Sequence, residues 1–255
     1  MLEKEIIIES KFRYVESGEG LPVVILHGLM GGLSNFAGVL DYFPGKGFKI
    51  LVPELPVYDL PLSETNVKSL ADYLNEFLIF KELNQVILLG NSLGGHIALL
   101  FSKFQPEKVK GLIITGSSGL YENAMGDGYP KRGDYDYIKT KSEEVFYDSK
   151  VATKEIVDEV FETVNDRNKL VKTLAIAKSA IRHNMAKDLP KMKTPTAIIW
   201  GAQDSVTPPN VAEEFHLLLP NSTLYWIDKC GHAPMMEHPQ EFNRIMHSWM
   251  EKIQF

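Results

Sequence analysis

Gly90-Asn91-Ser92-Leu93-Gly94 is the stretch on which the reading of this chain turns. An apolar run, Val86-Ile87-Leu88-Leu89, leads into it, and a helical pattern opens directly after it with Gly95-His96-Ile97-Ala98-Leu99-Leu100. Strand, sharp turn and helix around Gly-x-Ser-x-Gly is the setting in which a serine hydroxyl is lifted clear of a sheet on a strained turn. The flanking glycines let neighbouring backbone pass where a Cβ would collide. Two glycines and a serine at fixed spacing also arise by chance, so the weight rests on the flanking elements.

Upstream, Glu5-Ile6-Ile7-Ile8 and Phe12-Arg13-Tyr14-Val15 read as two short strands, with a turn at Ser17-Gly18-Glu19-Gly20. Pro22-Val23-Val24-Ile25-Leu26 is a third, continuously apolar as a strand buried on both faces should be. Similar runs are Ile50-Leu51-Val52, Leu112-Ile113-Ile114, Ala197-Ile198-Ile199-Trp200 and Leu224-Tyr225-Trp226-Ile227. Helical spacing of apolar residues falls between them, over 65–80, 93–104 and 239–253. Strand and helix in alternation predict an α/β fold, a mostly parallel central sheet with helices on both faces. The alternation breaks between about Gly119 and Pro190, where residues 149–164 and 169–184 read as amphipathic helices behind a segment carrying Tyr121, Tyr129, Tyr135, Tyr137 and Tyr147. That stretch is too long for an ordinary crossover. The expected organisation is a core of residues 1–118 and 191–255 interrupted by a helical cap insertion at 119–190.

Composition narrows the function classes. The 255 residues are 44% hydrophobic and 24% charged, with 27 basic and 33 acidic side chains and a net charge of −6. No basic stripe of the kind that neutralises phosphates stands out, which argues against nucleic acid as a partner. Cys230 is the single cysteine, so no internal disulfide can form, in keeping with a reducing compartment. The first residues lack a signal peptide's apolar core, and no apolar run approaches the ~20 residues needed to span a bilayer. These features predict a cytoplasmic protein without a membrane partner, as monomer or homodimer. No His-x-x-x-His, Cys-x-x-Cys or Asp-rich loop is present, and Gly28-x-x-Gly31-Gly32 matches neither a dinucleotide nor a P-loop fingerprint, so no metal and no cofactor is expected.

Ser92 needs a base, because a serine hydroxyl is inert at neutral pH unless its proton is taken. Of the seven histidines, His232 stands directly after the last strand, in Cys230-Gly231-His232-Ala233-Pro234. Asp204 stands directly after the Trp200 strand, in Gly201-Ala202-Gln203-Asp204. Both are at C-terminal strand ends, the edge where open α/β sheets place their sites. The rival reading of Asp204, a lesser one, is a helix N-cap or loop carboxylate ahead of Pro208-Pro209. His27 reads as a structural hydrogen-bonding residue.

The succession of His27-Gly28 after the third strand, the Ser92 turn, the insertion, the Asp204 loop and the Gly231-His232 loop resembles the α/β-hydrolase superfamily, in particular its capped, small-esterase-like members, over essentially the whole chain. The resemblance implies Ser92, His232 and Asp204 as a catalytic triad, and an oxyanion hole made by the N–H groups of Leu93 and Leu29, with Met30 as the adjacent alternative. Met30, Met125 and Met235, with Leu29, Leu93 and Met236, are candidates for an apolar substrate pocket. The expected function is hydrolysis of small carboxylic esters through an acyl-enzyme. Two alternatives stand beside it. One is C–C bond hydrolysis in a vinylogous diketone. Gly90-Asn91-Ser92-x-Gly94-Gly95 resembles that group's elbow, although Ala233 stands where that group usually carries tryptophan and Arg182 is only a candidate for its cap arginine. The other is a ligand-binding member with slow turnover.

Overall fold

The computed structural model describes residues 5–121 and 131–253. Eight strands form one sheet: β1 (Ile7–Glu9), β2 (Phe12–Ser17), β3 (Leu21–Leu26), β4 (Phe48–Pro53), β5 (Val86–Asn91), β6 (Val109–Thr115), β7 (Thr196–Gly201) and β8 (Ser222–Ile227). They lie in the order β1-β2-β4-β3-β5-β6-β7-β8. β1 and β2 join antiparallel at one edge, and every pairing from β4 onward is parallel. This is the α/β-hydrolase fold.

The parallel strands are apolar throughout because each face meets a different helical layer. Val24, Leu26, Leu88, Leu112, Ile114, Ile198 and Trp200 face one layer. Their chain neighbours Val23, Ile25, Ile87, Leu89, Ile113, Ala197 and Ile199 face the other. The alternation follows the period of two along a strand. Each valine, leucine or isoleucine among them, fully buried, stabilises the fold by about 1.5–3 kcal/mol relative to exposure. Helices α1 (Ala37–Tyr42), α2 (Val67–Phe80) and α3 (Leu93–Phe104) lie within the first part of the core. Helices α4 (Tyr135–Glu143), α5 (Lys154–Asn165) and α6 (Arg167–Arg182) lie between β6 and β7. Helices α7 (Pro209–Leu218), α8 (Pro234–Glu237) and α9 (Pro239–Lys252) complete the chain. The first layer is α2, α3 and α7, and the second α1, α8 and α9.

The strands observed match those expected, except that β1 begins later than Glu5. Ile6 and Ile8 are exposed there, so their apolar character reflects an edge strand rather than a core face. Two helices between β6 and β7 also begin elsewhere than expected. Residues 149–151 form a short 3-10 turn ahead of α5, and α6 starts at Arg167 because the Asp166 carboxylate accepts the N–H groups of Asn168 and Lys169. α4 was not expected as a helix. Only Ile138 and Ser142 of it are buried, so its sequence carries little helical periodicity. α6 docks on the core: Val67 N–H donates to Ser179 Oγ at 3.1 Å and Lys172 Nζ donates to the Tyr58 carbonyl at 2.6 Å. Among the described residues no helix is long and apolar enough to cross a membrane.

The register brings Leu26, Gly90, Ile114 and Ile198 into line across four neighbouring strands. The loops that follow β3, β5, β6, β7 and β8 therefore emerge at one edge. β3 sits between β4 and β5, so successive connections leave it in opposite directions. The crevice at this switch point is where open α/β sheets bind ligands.

Candidate active site

Ser92 follows β5 in the turn before α3, with φ 55° and ψ −118°, left-handed backbone that costs of order 1–3 kcal/mol for a residue with a side chain. The surroundings enforce the turn. A Cβ on Gly94 would lie 2.0 Å from the Leu26 carbonyl oxygen, and one on Gly90 would lie 2.3 Å from the Gly94 backbone, so the start of α3 can pass directly under the strand ends only as glycine. The Ser92 N–H donates to the Thr115 carbonyl at 3.0 Å, and its carbonyl accepts the Gly95 N–H at 3.1 Å.

His232 reaches the same place from the loop after β8. Its Nδ1 lies 2.9 Å from Asp204 Oδ2, and both residues are buried. The second oxygen, Asp204 Oδ1, accepts the N–H groups of Val206 and Thr207 at 2.8 and 2.9 Å. Asp204 thus braces its own loop through one oxygen and faces the histidine through the other; it is not a helix N-cap, because Pro208 holds that position ahead of α7. With Oδ1 held by two N–H donors, Oδ2 is left facing His232 Nδ1, and the far side of the ring, Nε2, is not engaged by this carboxylate.

Ser92 and His232 line one cavity of about 610 Å3, a volume ordinary for a small-molecule site. Leu29, Met30, Leu93 and Met236 line it, together with Val145, Phe146, Ile156, Val160, Ile176 and Ala180 from the segment between β6 and β7. Leu93 is the first residue of α3, so its N–H has no carbonyl one turn back to accept it. Leu29 lies in the loop after β3, whose Gly31 N–H turns back on the Gly28 carbonyl at 3.1 Å.

Met235 does not line the cavity. It is buried in the second core layer, while Met236, one position on, faces the cavity. One residue along a helix turns a side chain by about 100°, which is why the neighbour takes the role. Met125 and Tyr129 lie outside the described residues. Tyr121 and Tyr137 line the cavity, whereas Tyr135 donates to Asp158 at 2.6 Å and packs on Phe161 within the insertion. Arg182 lines a separate surface depression with Lys178 and His183.

Three further residues hold these loops in place: Tyr58, which the sequence does not single out, Asn91 and His27. Asn91 Nδ2 donates to both the Thr115 and His232 carbonyls at 3.1 Å, tying the serine turn to the histidine loop. Tyr58 Oη donates to the Leu29 carbonyl at 3.3 Å and lies 3.4 Å from Thr173 Oγ1, linking the Leu29 loop to α6. His27 is held neutral: its Nε2 accepts the Leu55 N–H at 2.9 Å, its Nδ1 faces the Gly28 carbonyl at 2.8 Å, and burial lowers its pKa. Among the described residues no group of three or more His, Cys, Asp or Glu could hold a metal ion.

His96, on α3 behind Ser92, is fully buried and bonds the His183 carbonyl through Nε2 at 2.9 Å. Burial pushes its imidazole from 6.5 down to about 4, partly opposed by that hydrogen bond, with the nearby His183 adding a smaller push downward. Between those values the unfolded chain binds a proton that the folded one refuses. Its contribution to stability is therefore complete above pH 6.5 and is lost as pH falls toward 4. Urea unfolding at pH 7.5 and 4.5 should show a loss of about 2 kcal/mol from this group. His96→Gln should remove that part of the pH dependence; an unchanged difference between the two pH values would refute the assignment.

Comparison with known proteins agrees with the geometry. Residues 22–239 match the family model for the alpha/beta hydrolase fold. The chain belongs to the α/β-hydrolase family. It is 60% identical to MGS-MChE2, an alpha/beta hydrolase enzyme from a sediment metagenome of the Mar Chica lagoon, Morocco, with a TM-score of 0.83 over 98% of this chain and 100% of that one. It is 25% identical to 2-hydroxy-6-oxononadienedioate/2-hydroxy-6-oxononatrienedioate hydrolase 2 of Pseudomonas putida, covering 96% of this chain and 93% of the relative. A 2-hydroxy-6-oxo-6-phenylhexa-2,4-dienoate hydrolase from Rhodococcus sp. strain RHA1 shares the fold, with a TM-score of 0.82, 18% identity and coverage of 97% and 99%.

Proposed function

We propose that this hydrolase attacks a carbonyl carbon with Ser92, using His232 as base and Asp204 to orient it. The observation that carries this reading is the left-handed Ser92 at a cavity shared with His232, whose Nδ1 is held by a buried, doubly anchored carboxylate. His232 Nε2 takes the Ser92 proton as Oγ attacks. Negative charge then grows on the former carbonyl oxygen, where the N–H groups of Leu29 and Leu93 stabilise it. His232 gives the proton to the departing group, and a water deprotonated by the same imidazole releases the acid and restores Ser92. The segment between β6 and β7 acts as a cap, its described residues from Tyr137 to Ala180 supplying the far wall of the cavity.

Two bonds suit this chemistry. The curated relatives are named as hydrolases of 2-hydroxy-6-oxo dienedioates, and these names support C–C cleavage of a vinylogous diketone better than they support ester cleavage. In that reaction the leaving carbon departs as a stabilised vinylogous enolate and takes its proton from an acid. One observation keeps ester hydrolysis as a second reading. Among the described lining residues Lys141 is the only lysine or arginine, its Nζ is already paired with Glu144 at 2.6 Å, and Glu159 adds a further carboxylate. A dicarboxylate would enter that cavity against like charge, while a neutral ester would not.

Purified protein should be assayed in parallel on a 2-hydroxy-6-oxo dienoate, followed by loss of the dienol chromophore, and on p-nitrophenyl esters of increasing acyl length. Serine-dependent turnover of the dienoate supports C–C hydrolysis. Turnover of the esters alone, greatest for short acyl chains, establishes the ester reading.

A further inference from the structure

Glu237 makes an arrangement that the hydrolytic scheme above does not use. It is the last residue of α8, five positions after His232. Its Oε1 accepts the Gly231 N–H at 2.7 Å. Its Oε2 accepts the N–H of Tyr147 at 2.8 Å and that of Asp148 at 3.2 Å. One carboxylate thus engages three backbone donors from two segments, the histidine loop and the stretch following α4.

Those segments are pressed together. The His232 N–H donates to the Val145 carbonyl at 2.9 Å, and a third loop, the one after β7, holds the same stretch through Ser205 Oγ, which donates to the Glu144 carbonyl at 2.6 Å. Gly231 lies flush against the same backbone: a Cβ there would stand 2.6 Å from the Val145 oxygen and 2.9 Å from Phe146 Cα. Val145 and Phe146 line the cavity on one side of this seam, and His232, Ala233 and Met236 line it on the other. A carboxylate accepting several N–H bonds gains more per bond than a neutral acceptor, and its two oxygens span a gap that a single carbonyl cannot.

We propose that Glu237 is a positioning residue for the reaction: it clamps residues 145–148 to the loop carrying His232, and so fixes the imidazole and the adjacent cavity wall as one unit. This rests on the reading of His232 as the base. The hydrogen bond between His232 and Asp204 sets the tautomer and ring direction, and the Glu237 clamp sets where the loop stands relative to Ser92. A displacement of about 1 Å at such a group costs on the order of 100-fold in rate.

The test compares Glu237→Gln and Glu237→Ala with Glu241→Gln, an exposed neighbour on α9 paired with Arg244. The amide of Glu237→Gln keeps the size but can accept on one side only, so that variant loses one arm of the clamp. Melting temperature, kcat, KM and the pH profile of kcat/KM are measured on whichever substrate the wild type turns over, with the rate of Ser92 labelling by a fluorophosphonate as a substrate-independent readout. The proposal predicts a 10- to 100-fold fall in kcat for Glu237→Gln. It further predicts slower labelling, a displaced acid limb of the pH profile, a folded protein, and partial rescue of Glu237→Ala by added acetate. Glu241→Gln should match the wild type. A Glu237→Gln protein that is folded, with wild-type kcat, labelling rate and pH profile, overturns the proposal, as does a loss of rate that only parallels a loss of folded protein. His232→Ala measured alongside separates the two readings. If it retains activity the base assignment itself has failed, whereas an inactive His232→Ala beside an unaffected Glu237→Gln removes the clamp alone.

Discussion

Replacing Ser92 with alanine is expected to reduce turnover about a million-fold, the order associated with loss of a triad nucleophile, while leaving the protein folded. The substitution removes one oxygen at the floor of the cavity. The bonds that shape the turn are made by backbone atoms, Ser92 N–H to the Thr115 carbonyl and Ser92 carbonyl to the Gly95 N–H, and alanine keeps both. Alanine also bears the same strain at φ 55° that serine bears. The melting temperature should therefore shift by no more than a degree or two in either direction, roughly the effect of a few tenths of a kcal/mol. Activity above a few per cent of wild type would assign the nucleophile elsewhere; a collapse in melting temperature would show that the hydroxyl has a structural role not visible in its contacts.

Asp204→Asn should cost about 10,000-fold in turnover. The structure says why an isosteric change is so damaging. Oδ1 accepts two backbone N–H groups, from Val206 and Thr207, which favour the amide oxygen at that position. The amide nitrogen is then turned toward His232 Nδ1, where it can only donate. A donor there stabilises the imidazole with its proton on Nε2, the wrong nitrogen for accepting the Ser92 proton. The fold should persist, since the turn-capping bonds remain. Steady-state kinetics together with the melting temperature check both halves, and a loss below about tenfold would mean that another group orients His232.

Much of the fold is readable along the chain because its parallel strands are buried on both faces and so appear as unbroken apolar runs. The exceptions have local causes. Ile6 and Ile8 are apolar yet exposed beside an edge strand. α1 spans only Ala37–Tyr42, too short for periodicity to register. α4 buries two residues. For the candidate site, Ser92, Asp204 and His232 were legible because each directly follows a strand and the sheet places such ends at one edge. Leu29 and Leu93, with Met30 beside them, come from the family resemblance rather than from the residues alone, and Met236 from its place after His232. Met235 packs in the core and not at the cavity because the facing of a four-residue helix is fixed by packing and not by sequence spacing. Val145, Phe146 and Ile176 reach the cavity only through the docking of the insertion. Glu237 meets Tyr147 across a separation of 90 residues, a pairing with no local signature.

The central claim is that Ser92 is the activated nucleophile of this hydrolase. Its most direct test needs no knowledge of the substrate: incubation with a fluorophosphonate, followed by intact-mass measurement and peptide mapping of the wild type, Ser92→Ala and His232→Ala. A single adduct mapping to Ser92, absent from Ser92→Ala and formed far more slowly in His232→Ala, is the predicted result. An unlabelled wild type, or an adduct that persists in Ser92→Ala, would contradict the account.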